Sequence, residues 1–315
     1  MPVSAAKIAP APLAATPLSA EAEAPAAGIR YICLSMLLSG IGPVLVRNSP
    51  VDFAATALWR LAIALPVAFF LARHSVRLPR RALLGAAASG ILLGLDLVLW
   101  NGAVVHTTIL VATVLVMLYP LLVALGGYVF FRETVSRRLG LGGGIAFLGI
   151  LLMTLGGASD IGAAGGSSSL IGDAMALTAA FFYAGSVLIS ARLCRRHDTI
   201  AVTFWVMLFA ALGALPFALL EARPVPVTPA GWLYIAFYGA VTLASYNLFN
   251  RGLKTVPAFL ATVIAYCQPV IATLLAFLFM HETPSPLDVA ASAVVIAGVV
   301  IATLQPRTGA TRPGG

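Results

Sequence analysis

Charge is scarce in this chain, and its absence excludes more than its presence explains. Asp, Glu, Lys and Arg make up 10% of 315 residues, where a soluble domain carries roughly 25%. Three cysteines, Cys33, Cys194 and Cys267, are too few and too scattered for a disulfide framework or a metal-ligand set. No phosphate-cradling GxxxxGK[ST] loop occurs, which argues against ATP-driven work by this chain. The glycine-rich "GLGGGIAFLG" at 140–149 has the wrong spacing for a dinucleotide fingerprint, and no strand precedes it. In an apolar segment it reads as a close helix-packing face. Catalytic carboxylates, histidines or cysteines clustered at one depth are also missing, because Asp96 is the only acid well inside an apolar segment. No cofactor, no metal and no enzymatic activity are expected; the alternative is a membrane-embedded enzyme acting on amphipathic substrates.

What the chain has instead is apolar length. Hydrophobic residues are 60% of the total, gathered into blocks of about 18 to 25, the length that crosses a hydrocarbon core of about 30 Å. Ten blocks are expected to be membrane spans, at roughly 29–47, 53–72, 82–100, 104–131, 139–157, 170–191, 199–220, 230–250, 256–280 and 286–304. Each must be a helix, since an open strand leaves its backbone unsatisfied in lipid. With a cytoplasmic N-terminus, 16 of the 19 Lys and Arg residues fall in cytoplasmic segments; Arg47, Arg223 and the intramembrane Arg60 are the rest. Such asymmetry fixes both termini inside. The net charge of +8 is then a topology signal and calls for no nucleic-acid partner. The expected partners are the lipid bilayer and a small-molecule substrate, the expected location is the cytoplasmic membrane, and a monomer fits the pattern. Residues 1–28, rich in Ala and Pro, and residues 305–315 read as disordered cytoplasmic tails.

The chain repeats itself. "ATVLVMLYP" (112–120) returns as "ATVIAYCQP" (261–269), 149 positions later. The same offset pairs Asn101 with Asn250, "RETVS" (132–136) with "HETPS" (281–285), and Gly149 with Gly298. Upstream, an offset of 146 pairs "DFAATALW" (52–59) with "DTIAVTFW" (198–205). Two five-helix units, 29–157 and 170–304 joined by an external linker at 158–169, are the economical reading. Five is odd, so the second unit enters the membrane from the opposite side, as in transporters built from inverted repeats. The expected fold is all-α and polytopic, ten helices around a central cavity.

Pro120 and Pro269 each lie about 11 residues before the ends of their spans, near the bilayer midplane at 1.5 Å per residue. Neither can bond the carbonyl four residues earlier, Val116 or Ala265, so each span is expected to bend there and serve in gating. Aromatic and amide side chains gather where a cavity would sit: Trp100, Asn101, Tyr119, Tyr183, Tyr238, Tyr246, Tyr266 and Gln268. They are the expected substrate-binding residues; for Trp100 the competing reading is an interfacial anchor. Thr242 and Ser245 extend the polar face of Tyr238. Arg60 and Asp96 are expected to form a buried charge pair, because an isolated charge at such depth costs roughly 2.5 kcal/mol or more. His106 and His281 read as loop histidines, with a proton relay as the alternative.

The apolar span with a central proline that closes in Glu, "YPLLVALGGYVFFRETVS" and "QPVIATLLAFLFMHETPS", resembles the EamA repeat of the drug/metabolite transporter superfamily. "LWRLAIALP" in the second span and the count of ten helices resemble it too. The resemblance implies a ten-helix secondary transporter with a central cavity that exports amino acids or related metabolites by alternating access. It places Glu133 and Glu282 at the family's acidic position. A Gly often precedes that Glu in the family, whereas Arg132 and His281 stand here.

Overall fold

The computed structural model describes residues 18–106, 115–132, 135–156, 170–271, 274 and 285–304, and among them every regular element is a helix. In chain order they are α1 (Leu18–Ser39), α2 (Gly42–Arg47), α3 (Phe53–Ala72), α4 (Arg80–His106), α5 (Tyr119–Phe131), α6 (Arg137–Gly156), α7 (Leu170–Arg196), α8 (Thr199–Ala218), α9 (Pro229–Leu253), α10 (Ala258–Ile264) and α11 (Pro286–Thr303). Four of them, α3, α4, α7 and α8, are individually long and apolar enough to cross a membrane. Large apolar side chains such as Phe70, Phe130, Leu212 and Phe237 are exposed, an outer surface suited to lipid. The chain is a multi-pass membrane protein.

Three boundaries differ from the expectation. The first helix begins at Leu18, well inside the segment read as a tail, because "SAEAEAPAAG" is poor in hydropathy but rich in the helix formers Ala and Glu. The first span breaks at Gly40–Ile41 before α2; a side chain at Gly40 would meet Ile271 at 2.7 Å. The fourth and ninth spans are interrupted. Turns fall at Met117–Leu118 and at Ala265–Tyr266, just before the two prolines, with short-range bonds Leu121 N to Leu118 O (3.0 Å) and Gln268 N to Ala265 O (2.9 Å).

Small residues make the seams. Along α3, Ala54, Ala57, Leu61, Ala64, Ala68 and Ala72 are buried at spacings of three and four, and α8 answers with Thr203, Met207, Ala210, Ala214 and Ala218. In lipid there is no hydrophobic drive between helices, so close van der Waals approach and interhelical hydrogen bonds carry the association. The main partnerships all cross between residues 18–156 and 170–304: α6 with α11, α4 with α7, α4 with α8, α3 with α8, α1 with α9 and α3 with α9.

Many of these contacts come in pairs related by the sequence offsets. A Cβ on Gly149 would stand 2.7 Å from Val295 N, and one on Gly298 would stand 2.7 Å from Gly142 O. The indole of Trp59 donates to Pro224 O (2.6 Å) and that of Trp205 to Val76 O (2.7 Å). Asn101 Nδ2 donates to Phe53 O and Asn250 Nδ2 to Thr203 Oγ1, both at 2.9 Å. The glycine-rich face of α6 is thus a packing seam, as its composition implies.

Candidate functional site

The centre of the bundle is built from α3, α4, α5, α7 and α9. α3 contributes Arg60 and α9 contributes Tyr238, and they are brought together by a backbone approach that only glycine permits: a Cβ on Gly239 would stand 2.8 Å from Arg60 O. Arg60 is 8% exposed. Its Nη1 donates to the Tyr238 hydroxyl, and its guanidinium carbon lies 4.8 Å from the centroid of the Tyr238 ring. The Nε hydrogen has no acceptor among the described residues.

Asp96, 6% exposed on α4, is the second buried charge. It lies ten residues before the end of α4 at His106, about 15 Å along the axis, deeper than the hydropathy boundary implied. Arg60 and Asp96 make no direct ion pair among the described residues, where a pair was expected: the guanidinium meets Tyr238 instead. Tyr183 and Tyr246 line one crevice together with Val206 and Asn250. The Tyr119 and Tyr183 rings meet edge to face at 4.8 Å, a favoured aromatic geometry. The tyrosines of this central cage, Tyr119, Tyr183, Tyr238 and Tyr246, come from three helices, α5, α7 and α9.

Tyr266 joins this cage at the helix breaks. Its hydroxyl donates to Met117 O at 2.9 Å. The turn before Pro120 diverts the bond of Leu121 N to Leu118 O, leaving the Met117 carbonyl without its usual donor, and Tyr266 supplies one. Met117 and Tyr266 are themselves separated by 149 positions, so a side chain of one unit caps the backbone of its own counterpart.

The other expected site residues go elsewhere. Trp100 packs with Leu115 and Met175 on a separate small cluster of Ala103 and Ala176. Asn101 is held by Phe53 O. Gln268 Nε2 donates to Ser39 O at 3.3 Å, in the α1–α9 seam. Ser245 belongs to that seam also, bonded to Ser35 and Ser39, and Thr242 Oγ1 donates to Tyr238 O of its own helix. An analogous knot joins Ser89 of α4 to Ser186 and Ser190 of α7. Sequence reading missed all of these serines except Ser245; their i, i+4 spacing in Ser35/Ser39 and Ser186/Ser190 was the available signal. His106 is exposed. Glu133, Glu282 and His281 lie outside the described residues.

One narrow crevice reaches the cage. Lined by Tyr183, Tyr246, Ser186, Ser190 and Asn250 among others, it holds about 20 Å³, room for a water molecule. Pockets that accept small organic ligands measure about 300–1,000 Å³, so this crevice is too small to hold one.

Comparison with known proteins agrees with a transport architecture. The profile of the EamA-like transporter family matches twice, over residues 26–155 and 170–304. The chain is 26% identical to an uncharacterized transporter of Archaeoglobus fulgidus over 87% of its own length and 96% of that protein. It is 23% identical to the pseudopaline exporter CntI of Pseudomonas aeruginosa, over 87% and 94%. To the uncharacterized transporter YetK of Bacillus subtilis it is 27% identical, over 59% of this chain and 57% of that protein. A crystal structure sharing 23% identity superposes with a TM-score of 0.71 over 91% of this chain and 99% of that one, which establishes the fold. The relatives are named for transport rather than catalysis, and the family profile covers both units: the chain belongs to the EamA-like transporter family of the drug/metabolite transporter superfamily.

Proposed function

We propose that this protein is a secondary transporter that exports small polar or aromatic metabolites, amino acids among them, across the cytoplasmic membrane by alternating access. Its two five-helix units, bounded near 29–157 and 170–304, are inverted with respect to each other, and both termini are cytoplasmic. One observation carries the reading: the two proline-broken spans meet through Tyr266 and Met117, residues related by the repeat offset. Such a crossing gives two similar gates facing opposite sides around one cage. That a relative is named an exporter supports the outward direction.

The test is flux of a labelled amino-acid and nucleobase panel in proteoliposomes. Transport of at least one solute is expected; none across the whole panel would reject the function. Pro120→Ala and Pro269→Ala should each slow that flux without loss of membrane insertion, and unchanged rates in both would reduce the prolines to packing features. For topology, a cysteine at Ser285 should label from outside and one at Ser75 only after permeabilisation. External labelling at position 75 rejects the inversion.

A further inference from the structure

A second hollow lies away from the centre, where α1 crosses the end of α9. It holds about 390 Å³, and its walls include Gly28 and Tyr31 of α1, Thr199 at the start of α8, and Arg251, Lys254 and Thr255 at the end of α9. That volume falls within the range of about 300–1,000 Å³ that takes small organic groups. Glycine makes the crossing. A Cβ on Gly252 would stand 2.9 Å from Gly28 O, and one on Gly28 would overlap the Thr255 side chain. The backbones touch there, so the longer side chains of Tyr31, Arg251 and Lys254 stand outside the seam, and all three are exposed.

Both cations are open: among the described residues, neither the Arg251 nor the Lys254 side chain has a hydrogen bond or an ion pair. The carboxylate next to Thr199 in the chain, Asp198, is spent on its own helix end, accepting from Ile200 N at 3.3 Å. A basic residue at a helix C-terminus or on a cytoplasmic face is ordinary. A walled hollow that carries two open cations, with the hydroxyl-bearing Tyr31, Thr199 and Thr255 around them, has the chemistry of a phosphate site. The other unit supplies the contrast. At the offset of 149, Arg251, Gly252 and Lys254 correspond to Gly102, Ala103 and Val105. That crossing is filled: Ala103 and Ala176 are fully buried against Trp100 and Met175, and a Cβ on Gly102 would overlap Met175. Helices can therefore cross at this position with neither a cation nor a cavity.

The surface beside the hollow says what fills it. From Tyr31 an exposed apolar stripe continues along α1 through Leu34 and Leu37, about 9 Å further into the apolar span. A soluble anion uses the hollow alone, whereas a phospholipid uses the hollow for its headgroup and the stripe for an acyl chain. We propose that this hollow binds the phosphate headgroup of an anionic phospholipid, with one acyl chain laid along Tyr31, Leu34 and Leu37. Arg251 and Lys254 are the two charges that select it. Such a site needs no transport activity, and in the topology proposed above it belongs to the cytoplasmic leaflet.

In the experiment, full-length protein in a neutral maltoside detergent is titrated with dioleoyl phosphatidylglycerol and, separately, with dioleoyl phosphatidylcholine. Glycerophosphoglycerol, the same headgroup without acyl chains, and inorganic phosphate are the soluble probes. Retained lipid is read by native mass spectrometry and stabilisation by thermal shift. Phosphatidylglycerol should bind and raise the melting temperature, and the other probes should do neither at equal concentration. Arg251→Gln and Lys254→Gln should each weaken that binding about fivefold, and the double variant about thirtyfold. Both positions are exposed, so the variants should remain monodisperse. Arg80→Gln with Arg81→Gln removes the same charge from the exposed start of α4 and should retain phosphatidylglycerol like the wild type. Wild-type binding in the Arg251 and Lys254 double variant overturns the site, and so does an equal loss in the α4 control, which would mean a diffuse effect of charge. Equal binding of glycerophosphoglycerol or inorganic phosphate overturns the lipid assignment, and equal binding of phosphatidylcholine overturns selection by charge.

Discussion

At one seam α9 presents Gly239 to the carbonyl of Arg60; at the other, α4 presents Gly90 to the carbonyl of Val206. Both approaches are too close for a Cβ, at 2.8 Å and 2.5 Å, and on the second seam the next turn adds Gly94 against Ala210 O. Yet one seam carries a buried guanidinium and the other an isopropyl group. What packs the helices and what could read a ligand are therefore separable, since the same scaffold stands with and without the charge. The ends of the bundle differ in the same way. Trp59 to Pro224 O is reinforced by Glu221, whose two oxygens accept from Ala54 N and Ala55 N at 2.8 Å each, and by Arg223 with Asp52 at 2.7 Å. Opposite, Trp205 donates to Val76 O, and Asp198 there caps only its own helix, accepting from Ile200 N at 3.3 Å. In the proposed topology the clasped end faces outward.

The largest effect should come from making the seams equal in the wrong direction. Val206→Arg forces a charged side chain into a buried seam beside a crevice of about 20 Å³, at a cost of about 3 kcal/mol. Loss of monodisperse protein in size-exclusion chromatography is the expected result, and a well-folded variant would show that either seam accepts a cation. Next comes the backbone approach. Gly90→Ala should cost about 2 kcal/mol by overpacking against a carbonyl that cannot move freely, and Gly239→Ala somewhat less, because its clearance is 2.8 Å against 2.5 Å. Thermal unfolding in detergent that reverses this order would break the equivalence of the seams. At the clasped end, Glu221→Ala removes a two-donor helix cap and should cost about 1 kcal/mol. The smallest change is Arg223→Gln. Its side chain is 70% exposed, so solvent screening holds the loss below about 0.5 kcal/mol; a larger drop in melting temperature would mean the ion pair is part of the gate.

Much of the architecture was legible because lipid permits few solutions. Apolar blocks had to be helices, and the paired phrases around Pro120 and Pro269 marked both the duplication and the weak points of two spans. The missing N–H of proline located the interruptions to within a few residues. It did not tell that the freed Met117 carbonyl would be capped by Tyr266, because that bond depends on two helices meeting across the bundle. Leu18–Ala27 escaped a hydropathy reading for the opposite reason, since helix propensity without apolar length leaves no trace on such a scale. The tyrosines on α5, α7 and α9 stood out in the sequence because large polar aromatics are conspicuous inside apolar runs. Trp100 and Asn101 were equally conspicuous, but their partners, Ala103 and Ala176 for one and Phe53 O for the other, are tertiary neighbours that spacing does not reveal. The charges were paired by depth alone, and depth says nothing of the Tyr238 hydroxyl that Arg60 meets.

The cross-unit seams carry a consequence for synthesis. Translation delivers α1 to α6 before α7 to α11 exist, and every main partner of the earlier helices belongs to the later set. An emerging domain ordinarily collapses onto its own core as it leaves the ribosome; this one has no core to collapse onto. The alanine stripe of α3, Arg60 and Asp96 must wait in the bilayer, uncovered, until the second unit threads in beside them. The window of greatest vulnerability to quality-control proteolysis is therefore set by the translation time of residues 157–253, and co-expression of 1–156 and 157–315 as separate chains should rescue each fragment from degradation that neither escapes alone.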